Sequence, residues 1–303
     1  MVRILVTDGM EKSAVESLRK AGFEVVEQHY ESDELGEALK NFDIVVVRSA
    51  TKIRKDHIDK ALETGRLKLI IRGGVGVDNI DVAYAMENGI QVLNTPKASS
   101  ASVAELTIAH MLAVARFLHL SNVTMRQGKW DKKNYKGIEL YGKTLGLVGF
   151  GRIAREVAKR AKAFGMKVIY TDIRGKIDDA GEYEYRDFED LLRESDFVSL
   201  HCPYNAEYGP IIGKKQLELM KDGAYLVNLA RGGVVDEDAL IEALESGKLA
   251  GACIDVFEEE PTNNSKLVNH PRVSVSPHIG ASTAEAQQRI GEEIVDIIMN
   301  YQF

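Results

Sequence analysis

The chain has 303 residues, 45% of them hydrophobic and 28% charged, with a formal net charge of -7 and two cysteines. That balance is typical of a soluble globular protein long enough for two hydrophobic cores. No Lys/Arg tract interrupts the acidic excess, so nucleic-acid binding has no electrostatic footprint, and no apolar run nears the roughly 18 residues that span a bilayer. Cys202 and Cys253 form neither metal spacing nor a disulfide framework, which suits a reducing compartment. The chain opens directly on a strand pattern without the regions of a signal peptide, and a cytoplasmic protein is expected.

Strand and helix patterns alternate from the start. Ile4 to Val6, Glu24 to Val26, Asp43 to Val47, Leu67 to Ile71 and Gln91 to Leu93 read as short buried strands separated by helical stretches. This is a parallel, doubly wound α/β layout. The turn Asn94-Thr95-Pro96-Lys97 closes the set, and one long helix is predicted from Ser99 to Met125. Within it Val103, Leu106, Ile108, Met111, Leu112 and Ala115 give an apolar surface wider than one core needs, a candidate for interdomain and dimer contact. After a strand from Lys143 to Val148 the alternation restarts, with strands at Lys167 to Thr171, Phe197 to Leu200, Tyr225 to Leu229, Gly251 to Asp255 and Val273 to Ser276. The last stretch, Ser282 to Phe303, is helical but too short for a domain, so it must pack on one of the two cores. A discontinuous first domain follows, with a cleft between the two.

Gly149-Phe150-Gly151-Arg152-Ile153-Ala154 lies between a strand and a helical spacing formed by Ile153, Val157, Ala158 and Ala161. A Gly-x-Gly-x-x-Gly/Ala turn in that setting lets backbone approach a pyrophosphate, which the helix N-terminus then meets with free N–H groups. The next strand delivers Asp172, about 20 residues on, where a carboxylate accepts ribose hydroxyls and repels a 2′-phosphate. The cofactor expected is therefore NAD rather than NADP.

Three later segments carry reactive side chains at strand ends, the edge at which open α/β sheets bind ligands. Arg231, followed by Gly232 and Gly233, suits bidentate recognition of a carboxylate; pairing with Asp236 or Asp238 is the alternative. In the run Glu258-Glu259-Glu260-Pro261 the first two glutamates read as a solvated acidic loop, whereas Glu260 is aimed by the proline after it. His278 follows a strand and Pro277, with Gly280 two places on, and points out from the sheet edge. The other histidines carry less: His110 and His119 belong to the long helix, His29, His57 and His270 look peripheral, and His201 sits at a strand end where it can line the cofactor site. Hydride transfer to a 2-keto acid needs a carboxylate anchor, a proton donor and a group that tunes that donor. Arg231, His278 and Glu260 form such a set, since imidazole has an ordinary pKa near ~6.5 and a neighbouring carboxylate favours its protonated form.

These segments, together with Arg48-Ser49-Ala50-Thr51-Lys52, Arg72-Gly73-Gly74-Val75-Gly76, Asn94-Thr95-Pro96 and Ser102-Val103-Ala104-Glu105-Leu106, extend over nearly the whole chain in one order. The chain resembles the D-isomer-specific 2-hydroxyacid dehydrogenases, and within them the branch that oxidises D-3-phosphoglycerate to 3-phosphohydroxypyruvate at the entry to serine biosynthesis. The resemblance implies two doubly wound parallel-sheet domains. A flavodoxin-like substrate domain takes residues 1–97 and 283–303, and a Rossmann-type NAD domain takes residues 98–282, through which a homodimer forms. It implies Arg231, Glu260 and His278 as the catalytic set. Cofactor contacts are implied at Gly149, Gly151, Arg152, Ile153, Asp172, Cys202, Pro203, Leu229, Asp255, His278 and Gly280. Val75, where the family commonly has threonine, is implied to reach the cofactor from the other domain. Arg48, Ser49, Arg72, Gly73 and Gly74, with Arg231 and His278, are implied to bind substrate, the two first-domain arginines taking the 3-phosphate by charge-assisted bonds; surface salt bridging is their plainer role. Domain closure hinged near Pro96 and Ser282 is expected, and a C-terminal regulatory domain is not. Glyoxylate or hydroxypyruvate reduction is the close alternative, and an NAD(H)-sensing binding module on the same scaffold the more distant one.

Overall fold

Runs of valine, isoleucine and leucine buried on both sides form strands only where helices cover both faces of a parallel sheet, and the computed structural model, which describes residues 1–302, contains two such sheets. The chain divides into two compact units: Met1–Ser99 with the segment from Ala281 on, and Ser100–Gly280.

In the first unit the elements run β1 (Arg3–Val6), α1 (Lys12–Lys20), β2 (Glu24–Glu27), α2 (Ser32–Leu39), β3 (Ile44–Val47), α3 (Lys55–Leu62), β4 (Leu69–Arg72), α4 (Val82–Glu87) and β5 (Gln91–Asn94). The strands are parallel in the order β2-β1-β3-β4-β5, the flavodoxin-like order. One core, with Leu5, Val45 and Ile70, lies under α2 and α3 through Leu35, Leu39 and Ile58. The other face is covered by α1 and by the last helix of the chain, Ala284–Met299, through Val15, Leu18, Ile290, Ile294 and Ile298. That helix is capped by Thr283, whose hydroxyl accepts the Ala286 N–H at 3.1 Å. It ends at Met299, short of the predicted Phe303, which lies outside the described residues. His57, expected at the periphery, is 4% exposed: its Nδ1 accepts the Arg54 N–H at 3.0 Å and its Nε2 sits 2.7 Å from the Ser32 carbonyl, fastening α3 to α2.

The second unit runs α5 (Ser100–Ala115), α6 (Leu118–Arg126), β6 (Thr144–Val148), α7 (Arg152–Ala163), β7 (Lys167–Thr171), β8 (Glu184–Tyr185), α8 (Phe188–Glu194), β9 (Phe197–Leu200), α9 (Lys214–Leu219), β10 (Ala224–Asn228), α10 (Glu237–Glu245), β11 (Leu249–Ile254), α11 (Ser265–Val268) and β12 (Val273–Val275), which makes the helix after Thr283 α12. Its seven strands are parallel in the order β12-β11-β10-β9-β6-β7-β8. The chain leaves β6 toward β7 on one side and later returns to β9 on the other, so strand order reverses at β6, the position at which doubly wound sheets bind nucleotides.

The single helix predicted from Ser99 to Met125 is instead two, bent by 67° between α5 and α6. Phe117 adopts a left-handed backbone with φ 53°, and the Ala115 carbonyl that a continuing helix would use is taken by the Ile138 N–H at 3.0 Å. Gly137 permits that crossing, because a Cβ there would collide with the same carbonyl. The wide apolar surface of this stretch is spent inside its own unit: Val103, Ile108, Met111 and Ala115 are buried beside α7 residues, and Leu106 and Leu112 pack against them. Exposed apolar side chains lie instead on and after α6, at Leu118, Val123, Met125 and Trp130. Among the described residues no single helix is long and apolar enough to cross a membrane.

Candidate active site

The sheet order sets C-terminal strand ends side by side, and the loops after β7, β6, β9, β10, β11 and β12 emerge there in that spatial sequence. Gly149, after β6, has φ 86° and lies against the next loop, where a Cβ would come within 2.6 Å of the His201 carbonyl. Gly151 caps α7 and brings no side chain to its first-turn N–H groups, and nothing lies within 4 Å of where its Cβ would be. The close turn, the open space and the uncapped helix start fit a pyrophosphate. Arg152 is exposed, Ile153 packs toward the core, and Ala154 is 0% exposed at the position of the third glycine, where the helix accommodates a methyl group.

Asp172 follows β7. Its carboxylate accepts the Phe150 N–H at 2.9 Å, the Arg174 N–H at 3.1 Å and the Arg174 guanidinium at 2.8 and 3.0 Å. The Arg174 side chain, with the two backbone donors, holds this carboxyl well below the ordinary carboxylate range against the opposing effect of burial. Its charge at neutral pH is therefore secure. Arg174 occupies acceptors that a ribose diol would use, but its side chain is 65% exposed and can turn outward. After β9, desolvation pulls the His201 imidazole down to about 4 and pushes the half-buried Cys202 thiol up to about 11. Both groups are neutral at pH 7, beside exposed Pro203. Leu229, just past β10, is 7% exposed.

Arg231, Glu260 and His278 come from the loops after β10, β11 and β12, three neighbouring strands. Asn228 shapes the first loop, accepting the Ala230 N–H at 3.1 Å and donating to the Arg231 carbonyl at 3.0 Å, while Arg231 Nη1 donates to the Ala230 carbonyl at 2.5 Å. Gly232 brings this loop against the second, since a Cβ there would collide with the Phe257 carbonyl. Glu260 accepts the Phe257 N–H at 3.2 Å through Oε1 and meets His278 Nδ1 at 2.7 Å through Oε2. Burial alone would raise the Glu260 carboxyl; the His278 hydrogen bond and charge, with smaller help from the Phe257 N–H and the Arg231 charge, outweigh it and hold the group below its ordinary value. The carboxylate is thus ionised at neutral pH beside the imidazole. Glu258 is exposed, and its Oε1 accepts the Glu237 N–H at 3.2 Å at the start of α10.

His278 adopts φ 51°, a left-handed conformation that a non-glycine residue keeps only when its surroundings hold it. Asp255 does most of the holding. Its carbonyl accepts the His278 N–H at 2.8 Å, and its carboxylate accepts the Ile279 and Gly280 N–H groups, both at 2.9 Å, and the Ser276 hydroxyl at 2.5 Å.

The first unit holds Arg48 and Ser49 in the loop after β3, Arg72 at the end of β4, and Gly73, Gly74 and Val75 in the loop that follows. Asp8 accepts the Arg48 N–H at 2.7 Å, the Thr51 N–H at 3.0 Å and the Thr51 hydroxyl at 2.5 Å, while Asn79 donates to the Arg48 and Thr51 carbonyls, both at 2.7 Å. Ser49 is exposed at the tip. A Cβ on Gly73 would lie 3.6 Å from Arg48 Cγ, and one on Gly74, at φ 143°, would collide with the Arg72 guanidinium, which folds back over the loop and donates to the Gly73 carbonyl at 3.3 Å. Among the described residues no carboxylate forms an ion pair with the Arg48 side chain. The Val75 carbonyl accepts the Asn94 amide at 2.5 Å.

Asp8, Asn79, Arg174, Ser276 and His110 escape a reading of the sequence. Arg174 acts on Asp172 two residues before it, and that Asp-x-Arg spacing is the one local trace; the others act on segments distant in the chain.

The fold and these loops define an NAD-dependent dehydrogenase. Residues 108–280, more than half of the chain, match the family model for the D-isomer specific 2-hydroxyacid dehydrogenase NAD binding domain. A hydroxypyruvate reductase of Thermotoga maritima is 50% identical over 98% of this chain and 97% of its own length. A D-3-phosphoglycerate dehydrogenase of Methanocaldococcus jannaschii is 47% identical over 98% of this chain, which spans only 57% of that relative's length. The crystal structure of a glyoxylate reductase from Paecilomyes thermophila is similar with a TM-score of 0.90 and 34% identity, covering 98% of this chain and 94% of that one. The chain belongs to the D-isomer specific 2-hydroxyacid dehydrogenases.

Replacing Gly232 by alanine must part the Arg231 loop from the loop that carries Glu260. Turnover of this variant is expected to fall by about 10-fold or more, with the secondary structure seen by circular dichroism intact. Steady-state kinetics at the wild-type level would contradict the close approach.

Proposed function

We propose that the protein interconverts D-3-phosphoglycerate and 3-phosphohydroxypyruvate with NAD, using Arg231, Glu260 and His278. The observation that carries the phosphorylated substrate is Arg48, its backbone fastened at both N–H and carbonyl and its guanidinium unpaired with any carboxylate among the described residues. A cation so placed, with Arg72 at the end of the neighbouring strand, suits a dianionic phosphate.

Bound NAD(H) supplies or accepts the hydride. Gly149, Gly151 and the α7 N-terminus hold its pyrophosphate in this reading, Asp172 its adenosine ribose once Arg174 turns outward, and Cys202, Pro203, Leu229, Asp255 and Gly280 line the rest. Arg231 anchors the substrate carboxylate. Glu260 engages His278 Nδ1, which leaves Nε2 as the ring atom for substrate. In reduction Nε2 gives its proton to the carbonyl oxygen, and in oxidation the neutral ring takes the proton of the 2-hydroxyl. The Glu260 carboxylate stabilises the cationic ring and fixes its orientation. A cytoplasmic homodimer, joined through the second unit, belongs to the same proposal, and the exposed apolar side chains of α6 are the surface it would cover.

Hydroxypyruvate or glyoxylate reduction is the second reading. It is favoured by the Thermotoga maritima hydroxypyruvate reductase, which this chain matches over almost the whole of both sequences.

His278→Ala is expected to lower kcat by about 1,000-fold while the NADH dissociation constant, read by fluorescence titration, stays near wild type. Near-normal turnover would remove His278 from the chemistry, and tight NADH binding by a wild-type protein that turns over no 2-hydroxy acid would favour a sensing module. Asp172→Ser removes a charge that repels the 2′-phosphate, so the NADH to NADPH ratio of kcat/KM should fall by about 10-fold or more; an unchanged ratio would place cofactor selection elsewhere. Arg48→Ala and Arg72→Ala should each cut kcat/KM for 3-phosphohydroxypyruvate by about 10-fold or more and leave hydroxypyruvate nearly unaffected. Equal effects on both substrates, or none, would hand the assignment to the second reading.

A further inference from the structure

His110, on α5, is 6% exposed and makes two side-chain contacts with one strand. Its Nδ1 lies 2.8 Å from the Ser274 hydroxyl and its Nε2 lies 2.8 Å from the Ser276 hydroxyl. Ser274 and Ser276 are two apart on and just after β12, so both hydroxyls turn to the same side of the strand. Ser276 in turn donates to Asp255 Oδ1 at 2.5 Å, and the Asp255 carboxylate receives the N–H groups of Ile279 and Gly280.

The protons in this chain run one way. The buried carboxylate can only accept, so the single Ser276 hydroxyl proton is committed to Asp255. Ser276 Oγ must then accept from His110, which puts a proton on Nε2 and leaves Nδ1 to accept from Ser274. Burial, which pulls the His110 imidazole below its ordinary value, favours this neutral tautomer. The ring thus fixes the Ser276 hydroxyl as a donor to Asp255, whose carboxylate also accepts the Ile279 and Gly280 N–H groups.

We propose that His110 is a positioning residue for His278, acting through Ser276 and Asp255 to hold the turn that keeps the catalytic imidazole in its left-handed conformation. The proposal rests on the acid–base role given to His278. It requires no contact between His110 and substrate or cofactor, and its effect falls on the chemical step rather than on binding.

The test compares His110→Leu, His110→Gln, Ser276→Ala, the Leu/Ala double variant and His278→Ala in the full chain. Each is assayed with NADH and the 2-keto acid that wild type reduces best, and each is titrated with NADH by fluorescence. His110→Leu and Ser276→Ala are expected to lower kcat by about 10-fold with KM for the keto acid and the NADH dissociation constant within about twofold of wild type. Glutamine, whose amide N–H can reach Ser276 as Nε2–H does, should restore kcat to within about threefold. The double variant should be no slower than the slower single, because both break one path. Wild-type kcat in His110→Leu beside an inactive His278→Ala would overturn the relay alone. Failure of glutamine to restore kcat, or single effects that multiply in the double variant, would overturn it too. Wild-type kcat in His278→Ala would overturn the acid–base reading and the relay with it. Should His110→Leu fail to fold, Ser276→Ala and His110→Gln decide the outcome by the same criteria.

Discussion

The arrangement of this site depends on one buried carboxylate. Asp255 is 1% exposed and stands at the end of β11, where it takes two backbone N–H groups and a serine hydroxyl on its side chain and a third N–H on its carbonyl. A buried charge is tolerated only when its hydrogen-bonding capacity is filled. Here the donors come from the turn carrying His278, so satisfying the charge and shaping the turn are the same event. The left-handed conformation of His278 follows from that requirement.

Parallel strand order supplies the rest of the geometry. β10, β11 and β12 are hydrogen-bonded neighbours, so three loops far apart in sequence leave one sheet edge together. Neighbouring strands in a sheet lie ~4.8 Å apart, near the spacing that a side-chain hydrogen bond between successive loops can bridge. Glu260 and His278 meet across such a step. Gly232 closes the remaining distance by letting two loop backbones touch, where any side chain would hold them apart. Charge then acts locally: the Glu260 carboxylate stays ionised because the imidazole and the arginine beside it offset the cost of burial.

The first unit builds its own loop by the same physical means. Asp8, near the end of β1, and Asn79 fasten the segment from Arg48 to Thr51 by its backbone, as Asp255 fastens residues 278–280. In both units a polar side chain reaches a loop from another part of the chain and spends most of its hydrogen bonds on main-chain groups. The reactive side chains of those loops are left to other partners. Arg174 differs, since its exposed guanidinium sits on the Asp172 carboxylate directly.

Much of this was legible in the amino-acid order because the signals are local. Buried runs such as Ile44 to Val47 and Leu69 to Ile71 identify strands covered on both faces. The spacing of Gly149 and Gly151 suits a nucleotide-binding turn, and the residue types at Arg231, Glu260 and His278 suit one chemistry. The break at Phe117 was not legible: the apolar pattern continues through it, and the cause is a crossing segment at Gly137 and Ile138 that takes the Ala115 carbonyl. Nor was the place of His110, whose partner Ser276 lies 166 residues away. Periodicity and spacing by themselves determined the strands other than the two-residue β8, the alternation and the reactive residue types, since these depend on burial and on near neighbours. Which loops meet, which carboxylate holds which turn and where a helix stops were decided by tertiary structure, because hydrogen bonds between distant segments exist only once the parallel sheet has brought their strand ends together.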